Sequence, residues 1–358
     1  MSFTGKMQLG LLLATFVLCP AGISSQWGTT IAPDPGCPPP SEITPCECRY
    51  NQWDDEHTFY CRDEISDTRL REIFSTASFP VTTMAAFVAE YCTLSSLPVG
   101  VFGSMKFESI TVDICSLSSI DPDVLRDQAD VLTGLVLNYN ALTDFPFDVP
   151  LPKLEALHLK ANSLTSLPGL NYPSLLFADF ELNQISQISD NLLQGTPNME
   201  RLYLQSNSLG SLPTGLTKGL PYLEEISLHH NSLSTISPGT FDLTDSTSSR
   251  ISVDLHSNYI ADLPAGAFSF PGTSCPKVFL DMNEISELSA AAFEPITAQM
   301  VSNGCPGLFV SGNPLDCDCS SLSWLLENAD YKNAFVDGYS VHCNNLALPD
   351  WTDQLLGC

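Results

Sequence analysis

Four of the chain's six histidines, His158, His229, His230 and His256, fall in short segments that repeat one pattern of apolar spacing. Within it His229, His256 and Asp281 each stand two residues before a recurrent asparagine, so successive copies place them in one column. Imidazoles and a carboxylate so arranged can be ligands for Zn²⁺ or another borderline ion, which makes this row a weak candidate metal site. The same residue types serve acid–base and nucleophilic catalysis, but that chemistry also needs an activated Ser or Cys in a water-poor cleft. No G-x-S-x-G, P-loop, G-x-G-x-x-G or H-E-x-x-H motif occurs. An open row also lacks the groups that orient metal-bound imidazoles. The residues predict no catalytic residue, no cofactor and a row better suited to touching another protein.

What must position these residues is the repeat itself. From Met84 to Asn313 the sequence keeps returning to L-x-x-L-x-L-x-x-N/C-x-L, the leucine-rich-repeat signature. The clearest copies are LEALHLKANSLTSLP (154–168), MERLYLQSNSLGSLP (199–213) and LEEISLHHNSLSTIS (223–237). The Asn/Cys slot is filled by Cys92, Cys115, Asn140, Asn162, Asn183, Asn207, Asn231, Asn258, Asn283 and Asn313, at intervals of 21 to 30 residues. Each copy supplies a short strand; strands stacked ~4.8 Å apart give an arc of roughly 50 Å. The leucines point inward, where each turn buries them only against its neighbours. The Asn amide lies inside the coil, where it can satisfy backbone groups that the turning chain buries. The expected fold is an α/β leucine-rich-repeat solenoid, a curved horseshoe of about ten turns with parallel strands on the concave face. Solvent-facing strand positions then offer a partner face of Tyr91, Tyr139, His158, Glu181, Tyr203, His229, Asp254, His256, Phe279, Asp281 and Phe309. Aromatic residues are the types enriched at interaction hot spots.

Charge and cysteines place the chain. Fourteen Lys+Arg against 41 Asp+Glu give a net charge of −27, the opposite of the basic footprint that nucleic acid or an anionic membrane requires. Residues 1–25 read as a signal peptide, with Lys6 before an apolar run too short to span a membrane and small residues Gly22, Ser24 and Ser25 after it. Its removal takes Cys19 and leaves twelve of the thirteen cysteines, an even number that suits an oxidised, secreted protein without a membrane span or anchor. The expected organisation is a cysteine-rich N-terminal cap with a first irregular turn at 26–83, repeats at 84–315 and a cysteine-rich C-terminal cap at 316–358. Cys37, Cys46, Cys48 and Cys61 form one cluster and Cys317, Cys319, Cys343 and Cys358 the other. Spacing alone allows three connectivities in each, and a zinc site is the rival reading. In the second cap Trp324, Leu325 and Leu326 suit the apolar face of a short lid helix. Cys275 and Cys305 stand at equivalent inward positions of adjacent turns, so they either bridge or serve as small buried hydrophobes. Cys92 and Cys115 either bridge or simply fill the ladder slot.

Both clusters resemble the cysteine-rich caps of extracellular leucine-rich-repeat proteins, in which the first cysteine pairs with the third and the second with the fourth. That resemblance implies Cys37–Cys48, Cys46–Cys61, Cys317–Cys343 and Cys319–Cys358. The opening CPPPSEITPCECRYNQWDDEHTFYC, the low-consensus RLREIFSTASFPVTTMAAFVAEYCTLSSLPVGVF, FESITVDICSLSSI and LTGLVLNYNALTDFPFDVPLPKLEALHLKANSLTSLP narrow the likeness further. Together they resemble a crustacean family, the non-catalytic subunits of secreted shrimp luciferases. In that family a separate small subunit oxidises coelenterazine, and the repeat subunit is an accessory that does no chemistry. The resemblance implies a binding partner and transfers no catalytic residue. A free-standing extracellular recognition or adhesion protein, in immunity or matrix, is the other reading.

Overall fold

In the computed structural model the described residues are 36–352, apart from 64, 274, 317, 344 and 345. The expected signal peptide, residues 1–25, lies outside them. Twelve strands make one sheet: Glu47–Asn51, Glu56–Asp63, Thr83–Cys92, Lys106–Asp113, Gly134–Val136, Ala156–His158, Phe177–Asp179, Arg201–Tyr203, Glu225–Ser227, Arg250–Asp254, Cys275–Phe279 and Leu308–Phe309. The first pair is antiparallel and every later pair is parallel, in sequence order. On the return paths, two-residue strands such as Ser166–Leu167 and Gln187–Ile188 pair in parallel as a second, discontinuous layer.

The inward columns fall where the apolar spacing puts them. Leu135, Leu157, Ala178, Leu202, Ile226, Val253, Val278 and Leu308 are register partners, and all are buried. Alternation along each strand turns the neighbouring residues to the opposite, exposed face. The asparagines then close the coil. The Asn231 Nδ2 group donates to Leu228 O (2.9 Å) in its own turn and to Leu204 O (3.0 Å) in the preceding one, and Oδ1 accepts Leu209 N–H at 3.0 Å. Asn140, Asn162, Asn183, Asn207, Asn258, Asn283 and Asn313 repeat that set in their own turns.

In the two turns that lack asparagine a covalent bond replaces the ladder: Cys92 and Cys115 form a disulfide with Cα atoms 4.6 Å apart, and Cys115 Sγ accepts Cys92 N–H at 3.3 Å. Cys275 and Cys305 are bridged as well, with Cα atoms 5.4 Å apart.

The coil begins one strand earlier than the repeat signature. Glu56–Asp63 pairs in parallel with Thr83–Cys92, across the helix Asp67–Thr76, so a turn without the leucine signature lies within residues 26–83. Its sequence EHTFYCRD lacks the leucine spacing because phenylalanines fill this end: Phe59, Phe74, Phe87, Phe102 and Phe107 lie ring against ring. Disulfides Cys37–Cys48 and Cys46–Cys61 tie the antiparallel hairpin across this layer. At the other end the 30-residue last interval accommodates a helix, Ala290–Ser302, whose Gln299 donates to Phe270 O and Thr273 O. Beyond it the helix Cys319–Glu327, capped by Asp318, buries Trp324 and Leu325 and half-buries Leu326; Trp324 Nε1 donates to Leu288 O at 2.8 Å. Cys319 and Cys343 are both disulfide-bonded. The expected pairs Cys317–Cys343 and Cys319–Cys358 each include a residue, Cys317 or Cys358, outside the described residues.

Candidate partner-binding face

The exposed face of the long sheet is set by one backbone feature that recurs in every turn with a ladder residue. The residue just before each ladder position has positive φ: Tyr91, Ile114, Tyr139, Ala161, Leu182, Ser206, His230, Ser257, Met282 and Gly312, all between 51° and 71°. Only one of these ten is glycine, although the left-handed region disfavours side chains and β-branched Ile114 most of all. The next residue must turn inward to reach the ladder, and the array imposes that bend on whatever residue precedes it. The side chains at the bend are thrown outward. Tyr91 is 63% exposed, Tyr139 48%, Leu182 46% and Met282 64%, and Ile114 is exposed too. Tyr91 and Tyr139 were expected on this face. Ile114, Leu182 and Met282 share their position in the repeat, and only their aliphatic type hides them from a reading by residue kind.

Two inner columns run beside that row. In the first, Val136, His158, Asp179, Tyr203, Ser227, Asp254, Phe279 and Phe309 are register partners. Phe279 and Phe309 stack with centroids 4.2 Å apart, so both are half-buried against each other. Phe177, absent from the expected face, wedges between His158 (4.7 Å) and Tyr203 (5.1 Å, edge to face). Burial lowers the His158 pKa. Tyr203 donates to Glu225 Oε2 at 3.0 Å, and burial together with that carboxylate pushes its hydroxyl pKa up to about 12.

The second column carries charge. Lys160 Nζ meets Glu181 Oε2 at 2.7 Å, and this hydrogen bond and charge raise the lysine's pKa against the opposing pull of burial. Asp113 fares differently. Its Oδ1 is buried with no hydrogen-bond partner, and burial plus the charge of Glu90 on the adjacent strand hold its carboxyl above the ordinary value. A carboxyl raised in the folded state binds more protons there than when unfolded. Its destabilising effect therefore grows as pH rises above about 3.8, the unperturbed value, and saturates past the folded pKa. Asp113→Asn is expected to raise the thermal midpoint at pH 7, with the gain shrinking as the melts are repeated toward pH 4.

The column containing His229, His256 and Asp281 is partly redirected. Asp281 Oδ1 accepts both Ser311 N–H (2.9 Å) and Ser311 Oγ–H (2.5 Å), which ties it to the next turn. His230 takes its place: one ring nitrogen from each of His229, His230 and His256 lies within 4.8 Å of the other two. The expected row His229–His256–Asp281 is thus corrected to a three-histidine cluster, because the bend before Asn231 brings the His230 ring over its neighbours. Burial lowers the His229 pKa, with Asp254 pulling upward and the other two imidazoles downward. Among the described residues no Ser or Cys hydrogen-bonds these rings, so a nucleophile–base pair is not assembled at the cluster.

The comparisons with known proteins agree with this geometry. A leucine-rich-repeat family model matches residues 197–247. The FLRT2 repeat domain's octameric complex with latrophilin 3 and Unc5D contains a chain that superposes with a TM-score of 0.62, over 90% of this chain and 100% of that one, at 19% identity. The chain is a leucine-rich-repeat solenoid. The repeat domain of APL1 gives a TM-score of 0.51 over 75% of the solenoid and 66% of that chain, at 21% identity. In sequence the solenoid resembles the Oplophorus-luciferin 2-monooxygenase non-catalytic subunit of Oplophorus gracilirostris, 27% identical over 82% of this chain and 80% of the relative. The platelet glycoprotein Ib alpha chain of Mus musculus is 38% identical over a shorter stretch, 21% of the solenoid and 10% of that protein. Fold and resemblance together support a role in protein–protein interaction. Among the described residues no helix is long and apolar enough to cross a membrane.

Proposed function

We propose that this chain is a secreted, non-catalytic accessory subunit that binds and stabilises a small oxygenase of the coelenterazine-luciferase type. The observation that carries the reading is the adjacent carboxylates Glu90 and Asp113 on the exposed sheet face, beside an apolar row. Asp113 is kept costly by burial and by Glu90, while Tyr91, Ile114, Tyr139 and Leu182 stand exposed in nearby turns. A partner presenting lysine or arginine within an apolar patch relieves both at once. Because the side chains sit on hydrogen-bonded strands, docking costs little ordering entropy. A partner that binds only the folded solenoid stabilises it, and is stabilised, by mass action, about 2.7 kcal/mol at a hundredfold excess over Kd. The likeness to a subunit named non-catalytic supports the absence of chemistry on this chain.

The test is co-expression with a small luciferase catalytic subunit, followed by co-purification, light output with coelenterazine and the lifetime of the catalytic subunit. Expected are a complex, no light from the solenoid alone and a longer-lived partner. The double variant Tyr91→Ala/Tyr139→Ala should weaken the complex about 10- to 100-fold, and raising salt should weaken it further. Light from the solenoid alone overturns the non-catalytic reading. No complex and no change in lifetime reject the subunit reading in favour of extracellular recognition or adhesion.

A further inference from the structure

We propose that His229, His230 and His256 bind one borderline divalent transition-metal ion, Zn²⁺ or Cu²⁺, on the exposed face of the sheet. The three imidazoles come from two adjacent turns and are brought together by different routes. His229 and His256 occupy the same column, so the sheet stacks their rings with centroids 4.3 Å apart at 16°. His230 stands at the left-handed bend, φ 53°, and its ring lies edge-on to both at 5.1 and 5.2 Å. One ring nitrogen from each already lies within 4.8 Å of the other two. Tetrahedral Zn–N bonds need ligand nitrogens about 3.3 Å apart. Closing that difference takes rotation of all three imidazoles about their side-chain bonds, which unstacks His229 from His256 without moving the sheet.

Two further features separate this cluster from a chance row of histidines. The first is the buttress. Asp254 Oδ1 lies 2.7 Å from His256 Nδ1 and also accepts His256 N–H at 3.1 Å. A carboxylate there holds the proton on Nδ1 and leaves the Nε2 lone pair free, which is how metal-bound histidines are oriented. The second is an open valence. His229 Nδ1 is buried and has no hydrogen-bond partner among the described residues. Such a nitrogen costs free energy unless something fills its need. An all-nitrogen set favours copper and zinc over Ca²⁺ and Mg²⁺, which take oxygen ligands. Three protein ligands leave one coordination position facing solvent.

The test uses the full, disulfide-intact, tag-free chain, stripped with chelator and titrated calorimetrically with ZnCl₂ and with CuCl₂. Expected are one equivalent bound with a dissociation constant in the micromolar range or tighter, no response to CaCl₂, and loss of affinity by about 100-fold or more in His230→Ala/His256→Ala. Asp254→Asn, which keeps all three imidazoles, should cost about 10- to 100-fold. His342→Ala, in the C-terminal cap, should leave the Zn²⁺ affinity unchanged. Independently of any variant, Cu²⁺ electron paramagnetic resonance of the native chain should show superhyperfine splitting from three nitrogens. Stoichiometric affinity unchanged in His230→Ala/His256→Ala, a copper spectrum dominated by oxygen ligands, or no binding tighter than millimolar would each overturn the proposal.

Discussion

Asn231→Ala is expected to lower stability by about 3 kcal/mol, among the largest effects of any single polar substitution in this chain. The amide is buried and does three things at once. It takes Leu209 N–H from the preceding turn, donates to Leu204 O there and donates to Leu228 O in its own turn. Both carbonyls keep a second amide, Leu204 O from Asn207 and Leu228 O from Asn258, so they are weakened rather than stranded. Leu209 N–H is left with nothing, and an unpaired buried donor costs about 1–3 kcal/mol by itself. Urea melts of native and variant chains measure the difference as a shift of midpoint. Asn231→Asp sharpens the test, because it keeps the acceptor for Leu209 N–H but turns a lone pair toward two carbonyls. That carboxyl would have its pKa raised in the folded state, so the variant should lose stability as pH rises and recover toward pH 4. If Asn231→Ala melted like the native chain, the ladder would not be what closes the coil.

Removing the bridge in the first two turns is expected to cost about the same. Cys92 and Cys115 close a loop of sequence separation 23, and a crosslink of that span contributes about 3 kcal/mol, chiefly by limiting the unfolded chain. The double variant Cys92→Ala/Cys115→Ala should therefore unfold at markedly lower urea than the native chain. The informative comparison is Cys92→Asn/Cys115→Asn. These residues sit at the same slot as the eight ladder asparagines, and Asn140 already donates to Val112 O across the boundary between the two regimes. Asparagines placed there should extend the amide ladder and recover part of the loss. Equal midpoints for the two double variants would mean that the first turns are built differently from the rest and that the bridge does not substitute for the ladder.

The repeat was legible because its geometry is written in one dimension. An Asn/Cys slot every 21 to 30 residues, with leucines at fixed offsets, identifies the inward columns without reference to any other part of the chain. The start of the coil could be read only as an irregular turn somewhere within 26–83, because Glu56–Asp63 is packed by Phe59 and its aromatic neighbours and carries no leucine signature. On the exposed face the columns could be read and the meetings within them could not. Phe177 reached His158 and Tyr203, and Ser311 claimed Asp281, through rotamers that no spacing specifies.

The amino-acid sequence alone determined that this chain is a stack of short coils with an apolar interior and an acidic exterior, because burial and hydrogen bonding inside each coil depend only on residues at fixed local offsets. Tertiary structure decided the rest. A left-handed bend before every ladder residue turned Ile114, Leu182 and Met282 outward and swung His230 over His229 and His256. That outcome depends on how neighbouring turns constrain a backbone conformation that most of these residues would not adopt alone.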